Sequence, residues 1–177
     1  CDWSSDVCSS DLQIKHVSQL IGEHTRIFLY GFGSSGLAAQ EFQLRLLRLG
    51  MDAEAITELH QMVLNEARIT NACLVIGISL SGATRELIDA LDRAKARGAA
   101  VIYLTSSNAE REKRTYEEIV LAPVKKNLEY GNVISPQFPI LLILDLIYAQ
   151  LLKEDRRSTE AQYDTHIWER IKDYHVG

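Results

Sequence analysis

Two short loops of this 177-residue chain combine glycine with hydroxyl side chains in a way that suits anion binding. The first is GFGSSG at 31–36, and the second is SLSGAT at 79–84. Serine and threonine supply hydroxyl donors, and glycine lets the backbone approach a ligand closely. The candidate ligand-binding residues from the two loops are Gly33, Ser34, Ser35, Ser79, Ser81 and Thr84.

Each loop also precedes a predicted helix, whose first turn presents unpaired N–H groups and a partial positive charge. Neither loop contains lysine or arginine, so neutral donors would bind the anion, and a phosphate monoester fits. A purely structural alternative is that the hydroxyls cap the two helices. One hydroxyl per loop would satisfy that need, and the five present exceed it.

The first loop satisfies a second pattern as well. Gly31, Gly33 and Gly36 form G-x-G-x-x-G, a dinucleotide-binding fingerprint. Glu54 or Glu58 stands near the usual acidic position. The fingerprint is a weak signal alone, and a dinucleotide site would not need the hydroxyl-rich second loop. A phosphate monoester is therefore the favoured ligand.

Short apolar runs alternate with helical patterns along the chain, which predicts parallel βαβ units. We predict strands at 26–30, 53–57, 72–78, 99–105 and 117–123. We predict helices at 13–24, 35–49, 58–67, 83–97, 108–115 and 138–152, and a further one near the C-terminus. The expected fold class is α/β, a three-layer αβα sandwich whose five-stranded parallel sheet has the order 2-1-3-4-5.

This strand order brings the two loops together. Strands 1 and 3 become neighbours, and the helices that follow them must leave toward opposite faces of the sheet. The crevice at such a switch point is where α/β proteins bind ligands. The sequence therefore predicts one site between the loops.

The first twelve residues, CDWSSDVCSSDL, resemble the translation of a common sequencing-library adapter. We expect them to be a non-native artefact. The natural domain would then occupy 13–177, and its gene would continue upstream. Without the three acids of this segment the net charge changes from −5 to −2. That charge does not favour a nucleic-acid or anionic-membrane surface.

The remaining composition points to a cytoplasmic protein without a cofactor. Cys73 is the only other cysteine and sits in an apolar run, so neither a disulfide framework nor a metal site is expected. The apolar stretch 138–152 is too short to span a bilayer and contains Asp145. We expect it to be a helix buried on most of its sides, in the core or at a subunit contact.

At the two loops the chain resembles the sugar isomerase (SIS) domain family, whose phosphosugar signatures match GFGSS and SLSGAT. It is most similar to the effector domain of RpiR/MurR-type bacterial transcriptional regulators, through RIFLYGFGSSGLAAQEFQLRLLRLG, ELHQMVLNEA and SLSGATRELIDALDRAKARGAAVIYLTS. The resemblance implies a sugar-phosphate sensor that forms a homodimer or tetramer. It also implies an upstream helix-turn-helix domain, through which alone the protein would contact DNA.

The resemblance places the phosphate contacts on Ser35, Ser79, Ser81 and Thr84, with Ser34 beside them. It makes His60 and Glu129 possible sugar contacts, although His60 could equally be an ordinary surface histidine. No catalytic residue is assigned. The alternative is an aldose–ketose isomerase of the same fold, which needs a base beside the sugar C1–C2 bond. Glu58, His60 and Glu129 are the candidates for that base.

Overall fold

The computed structural model describes the backbone of residues 3–106, 115–122 and 137–158, and the side chains of 11–106, 115–122 and 137–154. The strands are β1 (Arg26–Gly31), β2 (Ala53–Ile56), β3 (Cys73–Ser79), β4 (Ala100–Thr105) and β5 (Glu118–Leu121). The helices are α1 (Trp3–Glu23), α2 (Gly33–Arg48), α3 (Leu59–Asn65), α4 (Arg85–Ala96) and α5 (Phe138–Ser158). A 3-10 turn at Glu66–Arg68 follows α3.

All of the strand pairs in the sheet are parallel, and the strand order is β2-β1-β3-β4-β5. This confirms the predicted order. β3 and β4 are buried along their whole length, as their nearly unbroken apolar sequences require when helices cover both faces.

Two apolar cores lie on the two faces of the sheet, because successive side chains of a strand point to opposite faces. In β1, for example, Ile27 and Leu29 join one core while Phe28 and Tyr30 join the other. Helices α1, α2 and α5 cover the first core, and α3 and α4 cover the second. The three-layer architecture is therefore confirmed.

Two helices extend beyond their predicted ends, and one of them has an exposed apolar surface. Helix α1 begins at Trp3 and α5 continues to Ser158. Within the single chain the 138–152 helix is buried along only part of its surface, because Phe138, Leu142 and Leu146 are 57%, 43% and 50% exposed, so burial on most of its sides would require a subunit contact. Only one stripe of α5 packs against its neighbours, and these three residues lie off that stripe. The predicted helices at 108–115 and near the C-terminus fall outside the described residues.

Glutamine side chains contact both edge strands of the sheet. On β2, the Ala55 N–H donates to Gln43 Oε1 of α2 over 2.8 Å. On β5, Gln13 Nε2 of α1 donates to the Ile119 carbonyl over 3.1 Å and to Glu118 Oε1 over 2.6 Å. Backbone groups at a sheet edge otherwise need water or another strand as partners.

The remaining sequence expectations concern Cys73 and the membrane. Cys73 is a buried free thiol at the start of β3, as its apolar surroundings predict. Among the described residues, no helix combines the length and the apolar character that crossing a bilayer requires.

Candidate functional site

The two glycine- and hydroxyl-rich loops begin side by side at the carboxyl edge of the sheet. Gly31, the last residue of β1, is in register with Ile78 of β3. Helix α2 then packs on one face of the sheet through Phe42, and α4 packs on the other through Leu87. The loops are therefore neighbours at the point where the chain changes faces, as the strand order predicts.

The backbone closes the first loop without help from its serines. The Phe32 carbonyl accepts the N–H groups of Ser35 at 3.1 Å and Gly36 at 3.2 Å, and no side chain caps α2. Ser34 is exposed and Ser35 is half-buried. The hydroxyls of Ser34 and Ser35 therefore do not cap α2.

The second loop is held by short-range contacts among its own residues. Ser79 Oγ lies 3.3 Å from Thr84 Oγ1, and the Gly82 N–H donates to the Ser79 carbonyl over 3.2 Å. The Ala83 N–H donates to Ser81 Oγ over 3.3 Å. Thr84 precedes α4 but makes no side-chain capping bond. The capping explanation therefore fails for both helices.

The glycines of the first loop have structural reasons to be glycine. Gly33 has a φ of +52°, a conformation that other residues rarely adopt. A Cβ on Gly31 would lie 2.9 Å from the Ser35 backbone, and one on Gly36 would lie 2.9 Å from the Gly31 carbonyl oxygen. The G-x-G-x-x-G spacing thus permits a tight turn, and a dinucleotide is not needed to explain it.

Glu54, one of the two acids considered as a dinucleotide contact, forms ion pairs with two arginines. Its Oε2 accepts hydrogen bonds from Arg68 Nη2 and Arg26 Nη2, each at 2.6 Å. The Arg68 guanidinium is the main reason that the pKa of Glu54 lies below its ordinary value, and Arg26 adds to the effect. The carboxylate therefore links β2 to the start of β1 and to the turn after α3.

His60 and Glu58 lie at the start of α3, and both are exposed. With Leu59, Val63 and Leu64 they line an open pocket of about 600 Å³. None of the loop hydroxyls in the described part of the chain is among these lining residues. The pocket beside His60 therefore contains none of these hydroxyls, and Glu129 lies outside the described residues.

The sequence analysis missed Ser106, which follows β4. Its N–H donates to the Leu80 carbonyl of the second loop over 3.2 Å, and its hydroxyl donates to the same oxygen. The predicted strand order contained the signal, because β4 was placed beside β3. A hydroxyl after β4 must then lie at the same edge of the sheet as the second loop.

Residues 19–139 match the SIS domain family. The chain belongs to the SIS domain family. This match covers both loops and every strand of the sheet. The positions of the two SIS signatures at the ends of β1 and β3 agree with the resemblance drawn from the sequence.

Bacterial regulators are among the relatives of this SIS domain. An uncharacterized HTH-type transcriptional regulator of Haemophilus influenzae is 31% identical over 141 residues, which is 80% of this chain and 49% of that protein. Another from Clostridium perfringens is 32% identical over 137 residues, covering 76% of this chain and 48% of that protein. The chain thus spans about half the length of these relatives.

Solved structures share the fold at low sequence identity. The Vibrio vulnificus NanR protein complexed with ManNAc-6P has a TM-score of 0.80 at 20% identity, over 94% of this chain and 62% of that one. The sugar isomerase domain of an RpiR transcription factor from Sphaerobacter thermophilus has a TM-score of 0.72 at 20% identity, over 88% of this chain and 89% of that one. The phosphoheptose isomerase GmhA from Neisseria gonorrhoeae has a TM-score of 0.67 at 16% identity, over 84% of this chain and 96% of that one. Regulators and an enzyme therefore share this fold.

Proposed function

We propose that this SIS domain is the sugar-phosphate-sensing effector domain of an RpiR-type bacterial transcriptional regulator. The observation that carries the proposal is the pair of adjacent loops, whose hydroxyls cap neither of the helices that follow. The proposed ligand contacts are Gly33, Ser34, Ser35, Ser79, Ser81 and Thr84. Sequence similarity to two HTH-type regulators supports the regulatory role.

The proposed site recognises a phosphate dianion with neutral donors. The first turns of α2 and α4 direct N–H groups and partial positive charge toward the carboxyl edge of the sheet. The serine and threonine hydroxyls add rotatable donors that adapt to the phosphate oxygens. The sugar would extend from this phosphate subsite toward the start of α3, where His60 is exposed.

Sensing fits the described residues better than isomerisation does. An isomerase must hold a base within hydrogen-bonding distance of the sugar carbon that loses its proton. In the described part of the chain, Glu58 and His60 are exposed at the start of α3, and neither has a recorded contact with the loops. Such groups can bind sugar hydroxyls without catalysing a reaction.

The regulatory proposal also includes an oligomer, a DNA-binding domain and the cytoplasm as location. We define the α2–α5 surface as the exposed apolar residues of those two helices: Leu37, Leu44, Leu47, Phe138, Leu142 and Leu146. An ion pair between Arg45 and Asp145 joins the two helices beside this surface. Pairing of two copies there would let a sugar phosphate bias the spacing of helix-turn-helix domains that lie outside this sequence.

Calorimetry with a ligand panel tests the proposal. The panel contains ManNAc-6P, arabinose 5-phosphate, glucose 6-phosphate and inorganic phosphate, each sugar phosphate paired with its unphosphorylated sugar. We expect at least one sugar phosphate to bind and its neutral partner not to bind. NMR of the same mixtures would reveal a new sugar if the domain is an isomerase. Absence of binding across a broad panel would contradict the proposed ligand class.

A further inference from the structure

Ser106 holds one peptide group of the second loop from the side of β4. Strand β4 ends at Thr105, which is in register with Ser79 at the end of β3. Immediately after these strand ends, the Leu80 carbonyl oxygen accepts both the Ser106 N–H, at 3.2 Å, and the Ser106 hydroxyl. Two donors from one residue thus fix the direction of a single carbonyl.

The direction of this carbonyl sets the direction of the next N–H. The Leu80 C=O and the Ser81 N–H belong to one planar peptide unit, and in a trans peptide they point in opposite directions. The described residues contain no cis peptide bond. Since the Leu80 oxygen points toward β4, the Ser81 N–H must point toward the other neighbour of β3, which is β1. The first loop begins at the end of β1.

The Ser81 N–H is also available to a ligand. Among the residues that the structure describes, it has no recorded hydrogen-bond acceptor. The next two N–H groups of the loop are engaged, Gly82 with the Ser79 carbonyl and Ala83 with Ser81 Oγ. An N–H that points into a gap between two hydroxyl-bearing loops is suited to an anion, because hydrogen bonds to ionised acceptors are the stronger ones.

We infer that Ser106 is a positioning residue for the proposed sugar-phosphate site. It holds the Leu80 carbonyl so that the Ser81 N–H points between the loops and donates to a phosphate oxygen. This inference rests on the proposed function, because it assigns a donor within that same site. Ser106 acts through the peptide and not by touching the ligand.

The cost of losing Ser106 follows from the number of donors on the Leu80 carbonyl. In Ser106→Ala only the backbone N–H remains, so the 80–81 peptide can rotate and its N–H is not held ready for the ligand. A single net hydrogen bond of this kind corresponds to a roughly three- to tenfold loss of affinity. Ser106→Thr retains the hydroxyl and is expected to restore affinity.

The experiment compares parent, Ser106→Ala, Ser106→Thr and Ser18→Ala. Ser18 is a matched control, because its buried hydroxyl also donates to a backbone carbonyl, that of Ile14 in α1, at 2.9 Å. Each protein is titrated with the panel sugar phosphate that binds the parent best, by calorimetry and by NMR of the Ser81 backbone amide. In the parent and Ser18→Ala we expect a large downfield shift of this amide at saturation. In Ser106→Ala we expect a smaller shift together with the roughly three- to tenfold weaker binding.

The outcomes separate this inference from the proposed function. If the parent binds no sugar phosphate, the proposed function fails. If the parent binds but Ser106→Ala keeps its affinity, or keeps the parental Ser81 shift, the positioning role is wrong while the function stands. Failure of Ser106→Thr to restore binding also overturns it. If Ser106→Ala does not fold, the parent and Ser106→Thr decide the question. An unshifted Ser81 amide in the ligand-saturated parent overturns the inference. A large shift of that amide in the parent, together with parental affinity in Ser106→Thr, supports it.

Discussion

Ser79 is a buried hydroxyl at the end of an otherwise apolar strand. It is 4% exposed, and its recorded side-chain partner is Thr84 Oγ1 at a long 3.3 Å. A buried hydroxyl is costly unless it is well hydrogen-bonded. A ligand oxygen that hydrogen-bonds to the Ser79 hydroxyl would offset the cost of burying it between β3 and the second loop.

We therefore expect Ser79→Ala to weaken sugar-phosphate binding by about 1–3 kcal/mol, because it removes a donor from a charged acceptor. Calorimetry with the panel described above measures the change. Thr70→Ala is the control, since Thr70 precedes the opposite end of β3 and its hydroxyl has local partners, the Ala72 N–H at 3.3 Å and Cys73 Sγ at 3.5 Å. Equal affinity in Ser79→Ala and the parent would remove Ser79 from the site.

At the residue scale, the sequence predicted which edge of the sheet the two loops share but not how the loops are held. Placing Ser35, Ser79 and Ser81 at one edge needed only strand order and loop composition. The Ser106 contact with Leu80 depends on the direction of one peptide group, which residue types do not encode. His60 shows the limit of a family pattern, because its place in the chain did not reveal that it faces an open pocket on α3.

At the scale of elements, α4 and the sheet fit together through Gly77. This glycine lies between Tyr30 and Tyr103 in the register of β1, β3 and β4. A Cβ at Gly77 would lie 2.5 Å from Leu91 Cδ1, and Leu91 is fully buried. The leucine of α4 thus fills the space that glycine leaves between two tyrosines.

We expect Gly77→Ala to lower the free energy of unfolding by about 1–3 kcal/mol, because the added methyl overpacks the core. Urea denaturation measures this change. The double variant Gly77→Ala/Leu91→Ala should lose less stability than the sum of the losses in the two single variants. The reason is that the methyl group added at residue 77 occupies the space that the shortened residue 91 leaves empty. Gly22→Ala in α1 meets nothing within 4 Å and should not destabilise the protein. A neutral Gly77→Ala would show that α4 is not tightly seated.

Glu117 joins α4 to the start of β5. Its Oε2 accepts the Val101 N–H over 2.6 Å, and its carboxylate also pairs with Lys95 of α4. Partial burial alone would raise the pKa of Glu117. The hydrogen bonds from Lys95 and Val101 outweigh burial, so that its pKa lies below the ordinary value of 4.5.

The pKa of Glu117 is lower in the folded state than in the unfolded chain. Its carboxylate therefore stabilises the fold at pH values above the ordinary pKa, and this stabilisation is lost as the pH falls through the folded-state pKa. Glu117→Gln should therefore flatten the loss of stability in acid, and lower the free energy of unfolding at neutral pH by about 0.5–1.5 kcal/mol. Urea denaturation from neutral to acid pH measures both. Lys95→Met should flatten the curve too, and an unchanged acid slope in Glu117→Gln would contradict the assignment.

The order of elements was predictable, whereas their ends and surfaces were less so. Alternating apolar runs and glycine-punctuated helices determined the parallel sheet and its order. The length of α5 and its exposed stripe were missed because an almost continuous apolar run hides which residues face the core. Leu142 and Leu144 look alike in sequence, yet one is 43% exposed and the other is fully buried.

For the whole molecule, the α2–α5 surface predicts how two copies meet. Leu142→Glu places a charge there and should convert a self-associating parent into a monomer, because burying an unpaired charge is unfavourable. Analytical ultracentrifugation at several concentrations measures the change. Leu64→Glu, at a 71% exposed leucine of α3, should leave association unchanged. A monomeric parent, or dissociation by Leu64→Glu instead, would contradict this assignment.

The glutamines on the two edge strands have a consequence for how copies of this protein can combine. With Gln43 on the Ala55 amide and Gln13 on the Ile119 carbonyl, a strand from another molecule would have to displace side chains before it could join the sheet. Growth of one continuous sheet through many molecules is therefore disfavoured. If copies of this protein associate, we expect them to do so through helical surfaces, whose contacts can form and separate while the sheet stays intact.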